Sequence, residues 1–459
     1  MDRQVSKISG RSIMNKPEPD VMVVGGGIAG LAAAFRLQQQ GRTVTVFEAA
    51  DTVGGMMRST RRDGFVLNRA ATLLPAGHAA VIRLCADAGL SNPFRPLPLS
   101  IGIPRDGRLR SLGGEGLGAV MEGVRTDLLS SRSKLLLGRL LVDMRRWKRQ
   151  LGHDDYEAAA RLDTETVPTY ARRRLHQEIY DYLIDPLLRG VYLEDPAKMS
   201  VVDLFVTLGK FTQGGPMRYP TGIDFLARHL ASLLDVRTGA TVQEVRRTEA
   251  GVRARWHDAG GDHTVETRGC VLAVNGPAVL DIYPDLPDGQ RKLIESIPYA
   301  GILKGIFALR RAPANLPGLI AVPSKAGLGL GIVTYDSRSM PESVPAGKAV
   351  VSGHWVDSYL KAAAERPDDE MLAEMLRHMD AVVPGFSGEV EFAQLERWDT
   401  AANSRSVGFY RTVAELRRLM DPDDIVHLAG DYLGNPSTNG SAESGERAAA
   451  ALGKRLRHP

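Results

Sequence analysis

The 459-residue sequence predicts an α/β fold in which a dinucleotide-binding domain is interleaved with an α+β domain. Three observations carry that expectation. An apolar run, VMVV, leads into three consecutive glycines and then a small-residue helical pattern. A second apolar run, TVTVF, leads directly into Glu48. Near the far end, IVHLAGDYLGNPSTNGSAESGERAAAAL reads as a strand, a Gly-Asp pair and a closing helix. The chain is longer than the roughly 250–300 residues at which a single hydrophobic core stops growing, so two domains are expected.

Composition narrows the class. A hydrophobic fraction of 43% and a charged fraction of 24% are those of an ordinary globular chain. A net charge of +4 gives no reason to expect a nucleic-acid partner without a concentrated basic patch. Cys85 and Cys270 alone make neither a disulfide framework nor a metal-ligand spacing, so no metal is expected and a reducing cytoplasm fits. Residues 1–17 are polar and lack the apolar core of a secretory signal, which predicts a disordered leader. No stretch reaches the roughly 20 apolar residues of a spanning helix.

The first unit follows the Rossmann pattern of strand, turn and helix. Gly25 permits the tight turn, Gly27 lets a pyrophosphate approach the backbone, and Gly30 lets helix and strand pack closely. Ile28 and Ala29 belong to the expected cofactor-binding turn, and a helix is expected from Leu31 to about Gln40 with its N-terminus toward the anion. Glu48 lies 18 residues beyond Gly30, where a carboxylate accepts from the adenosine ribose hydroxyls, with Ala49 beside it. A second glycine pair, Gly54 and Gly55, then precedes Met56 and Arg58.

This extended pattern resembles the fingerprint of FAD-dependent amine oxidases, protoporphyrinogen oxidases and phytoene desaturases. The resemblance implies a GR2-type FAD-binding domain, with the second glycine pair and Arg58 serving the longer cofactor. It assigns Gly430 and Asp431 to the ribityl chain and pyrophosphate. The helix N-terminus near Thr438 then points at the pyrimidine end of the flavin, where its partial positive charge suits a reduced ring. Val242, in TVQEV, is placed against adenine. The FAD domain is expected at 18–75, 235–285 and 395–459, and the substrate domain at 76–234 and 286–394, with a helical subdomain at about 115–200.

Residues 165–201, ETVPTYARRRLHQEIYDYLIDPLLRGVYLEDPAKMSV, look like the porphyrinogen-oxidase branch. Lys304 in PYAGILKGIFAL is instead similar to the amine-oxidase lysine that holds a water beside flavin N5. Buried there, its ammonium needs a water network or an acid, whereas the plainer alternative is a strand-edge lysine facing solvent. Trp398 in RWDTA resembles the family's flavin-side tryptophan. The resemblance thus nominates Lys304 and Trp398 as catalytic, with Ala71 and Thr72 completing the ring face. Leu73, Tyr335, Phe409, Tyr410 and Ser437 are the candidate substrate-pocket residues, and Asp336 and His354 lie on strands that could line it.

Departures from the family pattern reshape the substrate expectation. Neither cysteine lies near the flavin motifs, so FAD is expected to be noncovalent. Counted without gaps, the two aromatic-cage positions of amine oxidases fall near Gly408 and Ser437, and Phe409 and Tyr410 enter only with a small gap. The segment NRAATLLP carries Ala70, Ala71 and Thr72 where porphyrinogen oxidases have glycines.

The expected activity is removal of a hydride from a cyclic or lipophilic small molecule, with O2 as acceptor and hydrogen peroxide as product. A porphyrinogen oxidase and a non-redox flavin isomerase stand as alternatives. Finally, residues 133–152 form a leucine-spaced stretch with Arg139, Arg145, Arg146, Lys148 and Arg149 toward one end, the pattern of a helix resting on an anionic lipid surface or, more commonly, of one packed on its own domain with a solvated basic end.

Overall fold

The computed structural model describes residues 18–75, 77–97, 100–113, 125–147, 151, 156–211, 216–338 and 340–457. The expected leader, residues 1–17, lies outside the described residues, as do Lys148 and Arg149.

A five-stranded parallel sheet runs in the order Asp235–Arg237, Val44–Phe47, Val21–Val24, Gly269–Leu272 and Val426–Leu428. Its three central strands are buried along their whole length, as continuous apolar runs require when both faces are covered. On one face lie the helices Ile28–Gln39 and Thr438–Arg455, which meet so closely that a Cβ at Gly445 would collide with the Ala29 carbonyl oxygen. An antiparallel three-stranded sheet, Thr241–Thr248, Gly251–Asp258 and Gly261–Thr267, closes the other side around Phe47 and Trp256. The first helix begins at Ile28, three residues earlier than its apolar pattern suggests, because Gly27 caps it and Gly30 lies inside its first turn.

The second domain is built on a seven-stranded sheet in the order Val390–Asn403, Tyr299–Leu309, Ala349–Trp355, Leu330–Tyr335, Leu319–Ala321, Ser100–Arg105 and Arg108–Gly113. Its two faces differ in chemistry, as the period-2 alternation of strands dictates. On one face Leu303, Phe307, Val351, Trp355 and Val333 pack against Met371, Met375 and Met379 of the helix Asp368–Val382. On the other, Lys304 stands between His354 and Glu396 in register, and Thr334 stands beside Ser352. Strand Val390–Asn403 is continuous across residue 395, so the boundary expected there falls inside one element. The helix Ala79–Asp87, expected in the substrate domain, packs through Ala80, Val81 and Leu84 on the helix Ile28–Gln39.

A helical layer, including Ser131–Trp147, Val167–Arg174, Asp185–Tyr192 and Val201–Phe211, has its own core around Tyr170, Leu188, Leu204 and Phe205.

Candidate active site

Three loops meet at the end of the parallel sheet. Gly25 adopts φ +103°, a region that L side chains rarely enter, and a Cβ at Gly30 would strike the Gly25 carbonyl oxygen. A Cβ at Gly27, by contrast, would meet nothing within 4 Å. The helix that starts at Ile28 has no side-chain cap and no acidic residue in its first turn, so its leading N–H groups and positive dipole end face the turn. Those features fit a pyrophosphate.

The second glycine pair closes over the first turn. Gly54 donates its N–H to the Gly26 carbonyl at 2.8 Å, and an ideal Cβ at Gly55 would sit 3.4 Å from the Gly27 Cα. Glu48 is held by both oxygens: Oε2 accepts from the Gly26 N–H at 2.6 Å and Oε1 from the Ala50 N–H at 2.8 Å. Ala49 and Ala50 continue that loop, and the Glu48 carbonyl accepts from the Ala240 N–H, which brings Val242 to the same edge beside Phe47 and Trp256. At the far end Gly430 donates to the Ser444 hydroxyl at 2.9 Å. Asp431 accepts from the Tyr299 hydroxyl at 3.1 Å, and burial pushes its carboxyl up. Ser437 caps the closing helix by accepting from the Gly440 N–H at 3.1 Å, and Thr438 is that helix's first residue. The buried oxygen Asn435 Oδ1 and the indole nitrogen Trp398 Nε1 have no hydrogen-bond partner within the protein, which suits a polar ligand bordered by these loops.

Arg58 joins the glycine turn to the tryptophan. Its Nε donates to the Gly55 carbonyl at 3.1 Å, and its guanidinium lies 5.2 Å from the Trp398 ring centroid. Met56 accepts from the Ala71 N–H at 3.1 Å, which leads directly to Ala71, Thr72 and Leu73.

Lys304 is wholly buried, in the second strand of its sheet, and does not face solvent as the plainer reading of it expected. Its Nζ donates to the Asn68 carbonyl at 2.6 Å and the Ala70 carbonyl at 3.4 Å, and lies 3.6 Å from Asp336 Oδ2. Burial pulls the ammonium below its ordinary value, and Asp336 opposes that shift. Lys304 is thereby locked to the backbone just before Ala71.

Other nominated residues go elsewhere. Tyr335 pairs with Val351 on the helix-covered face and joins the core there, opposite to Lys304, so it is not a pocket residue on the lysine's side. Phe409 and Tyr410 open the helix Phe409–Leu419 and sit in the core on its buried side. Tyr410 stacks on Tyr156 at 5.7 Å and donates to Asp203 at 2.7 Å, and burial raises its hydroxyl well above the usual range. They do not form an aromatic cage with Ser437. The physical reason is Arg405, whose buried guanidinium lies 4.6 Å from the Phe409 ring and draws both rings inward.

Sequence reasoning missed the Arg69–Glu396 ion pair, 2.9 Å across the two domains, and the buried Arg218. Nothing local marks either, because each depends on elements distant in sequence.

With this geometry, comparison with known proteins assigns the class. The profile of the flavin-containing amine oxidoreductase family matches residues 28–453, and the chain belongs to that family. It is a flavin-dependent oxidoreductase. Protoporphyrinogen oxidase 2, chloroplastic/mitochondrial, of Arabidopsis thaliana is 31% identical over 212 residues, 45% of this chain and 37% of that protein. Coproporphyrinogen III oxidase of Bacillus subtilis (strain 168) is 22% identical over 471 residues, 94% of this chain and 95% of that protein. The structure of cyclohexylamine oxidase from Brevibacterium oxydans IH-35A superposes with a TM-score of 0.77 at 18% identity, covering 96% of this chain and all of that one, which establishes the shared fold.

Proposed function

We propose that the protein holds FAD noncovalently and oxidises a ring-containing or lipophilic small molecule, with O2 as acceptor. FAD bound there would supply an acceptor for a hydride from a substrate carbon, and the electron pair would pass with that hydrogen and the proton the substrate releases to O2, giving hydrogen peroxide. In this reading Glu48, the Gly25–Gly30 turn, Gly54, Gly55 and Asp431 bind the cofactor. Lys304 and Trp398 flank the flavin with Ala71 and Thr72, and Leu73 borders the substrate. The observation that carries it is the buried Lys304, anchored on the carbonyls of Asn68 and Ala70 at the start of that loop. A lysine placed there holds a buried proton donor beside that loop. Cys85 and Cys270 are both buried, Cys85 against Tyr219 and Cys270 inside the parallel sheet, and neither is offered to a flavin.

The test is a peroxide-coupled panel of cyclic amines, cyclic ketones and porphyrinogens, read together with anaerobic bleaching of the flavin. Lys304→Met is expected to retain FAD and to lose at least about tenfold in flavin reduction or reoxidation, the scale of a positioned proton-transfer group. Unchanged kinetics would remove its role. Turnover without bleaching or peroxide would mean isomerisation.

A second substrate reading, a porphyrinogen, is favoured by the near full-length alignment with the Bacillus subtilis coproporphyrinogen III oxidase. It predicts a fluorescent product from coproporphyrinogen or protoporphyrinogen.

We also propose peripheral contact with an anionic membrane. The helix Ser131–Trp147 exposes Leu135, Leu141 and Val142 together with Arg139, Arg145 and Arg146. Its tryptophan takes no part: Trp147 packs on Phe205 at 4.3 Å. No helix among the described residues is long and apolar enough to cross a membrane. Co-sedimentation with phosphatidylserine vesicles should fall on Leu135→Glu with Val142→Glu, and equal binding by that variant refutes the contact.

A further inference from the structure

The polar face of the seven-stranded sheet surrounds Lys304 with charged and titratable groups from every neighbouring element. His354 lies opposite it on one adjacent strand, and Glu396 on the other. Asp336 follows the strand Leu330–Tyr335, and Arg218 reaches in from the strand Pro216–Arg218 to the carbonyls of Tyr335 and Asp336. Arg69 approaches from the nucleotide domain.

These neighbours are not equivalent. Glu396 is committed to Arg69 at 2.9 Å. His354 is buried, its Nε2 has no partner, and burial together with Lys304 pushes its imidazole down to about 3, so it adds no charge. Arg218 adds a second cation. Among the described residues that leaves one carboxylate paired with the lysine, Asp336, at 3.6 Å. That carboxylate is built in: Oδ1 accepts from the Thr334 hydroxyl at 2.5 Å and Oδ2 from the Ser352 hydroxyl at 2.7 Å. Both hydroxyls favour the ionised form. Burial works against that form, but Lys304, Arg218 and the two hydroxyls outweigh it and hold the carboxyl below its ordinary value. A wholly buried ammonium bonded otherwise only to carbonyls keeps its proton only if such a carboxylate compensates it.

We propose that Asp336 is a positioning residue: it keeps Lys304 protonated and fixed on the Asn68 and Ala70 carbonyls, beside the loop that runs on to Ala71–Leu73. The inference rests on the reading that Lys304 serves the flavin.

The test uses full-length holoenzyme and the absorption spectrum of the bound oxidised flavin, titrated between about pH 6 and pH 11. Besides the step of the flavin's own N3–H, which Lys304→Met retains, wild type should show a second alkaline step as Lys304 loses its proton, absent in Lys304→Met. Asp336→Asn should move that step down by at least about one pH unit, a tenfold loss of proton affinity, and Asp336→Glu should restore it. An unmoved step in Asp336→Asn, with the step lost in Lys304→Met, overturns the role of Asp336 and leaves that of Lys304 standing. If Asp336→Asn does not retain FAD, Thr334→Val and Ser352→Ala replace it and should shift the step less, with the same sign; no shift overturns the role.

A wild-type titration that holds no step removed by Lys304→Met overturns instead the placement of Lys304 beside the flavin. The pair is then judged by unfolding midpoints. Asp336→Asn should cost clearly less in the Lys304→Met background than in wild type, and an equal cost in both backgrounds overturns the coupling.

Discussion

Glu48 shows what a single side chain does in this site. Its two oxygens organise the N–H groups of Gly26 and Ala50, and in the proposed complex one of them turns to the adenosine ribose. Glu48→Ala removes a charge-assisted acceptor, for which about 1.5–3 kcal/mol is typical. The FAD dissociation constant should therefore rise by at least about tenfold in flavin-fluorescence titration, with the fold retained. An unchanged constant would show that Glu48 serves only the loop. The place of Glu48 beside the glycine turn was legible from the sequence because it follows from a short spacing. The partner of Lys304 was not. That a buried lysine needs an acid or water follows from elementary electrostatics, but which acid depends on three strands and a loop far apart in the chain.

At the scale of elements, Glu178 ties the helical layer to the sheet. It accepts from the Ser130 N–H at 3.0 Å and from the hydroxyls of Ser130 and Ser133, each at 2.6 Å, and pairs with Arg105 at 2.9 Å. Burial pushes this carboxyl up, yet the serine and arginine donors prevail and bring it down to about 2. Since the folded value lies below the ordinary 4.5, the stabilisation is fully present above that pH and is lost as pH falls from there toward 2. Glu178→Gln should lower stability at neutral pH by about 1–3 kcal/mol. It should also flatten the acid limb of a urea-midpoint profile, and a limb as steep as wild type's would assign acid sensitivity to other carboxylates.

Elements also show where sequence patterns mislead. Phe409 and Tyr410 lie near the cage positions by counting, but they fall on a helix whose buried side meets Arg405 and Asp203. Tyr335 and Thr334 are neighbours in sequence and lie on opposite faces of one sheet, since successive side chains of a strand alternate. A one-residue change in register would exchange them.

For the whole molecule, interleaving has a thermodynamic consequence. Strand Val390–Asn403 belongs to the second sheet, yet Asn403 donates to the Asp431 carbonyl at 2.7 Å, and Arg69 pairs with Glu396 across the domains. Neither domain can lose its structure while the other keeps its contacts. Calorimetry should show one transition whose midpoint rises with FAD, by about 2.7 kcal/mol of stabilisation at a hundredfold excess over the dissociation constant. Two transitions, only one of them moving with FAD, would refute this coupling.

The sequence by itself determined the class: the glycine turns, Glu48 and the Gly430–Asp431 pair are local backbone geometry, set by which residues tolerate a tight turn or a close approach. It also brought Lys304 to notice as a lone cation in an apolar strand. Tertiary structure alone decided which way each strand side chain points, that Asp336, Arg218 and His354 gather around that lysine, and that the aromatic residues after Gly408 turn into the core. Those outcomes depend on register and packing between segments tens to hundreds of residues apart, and no local pattern encodes them.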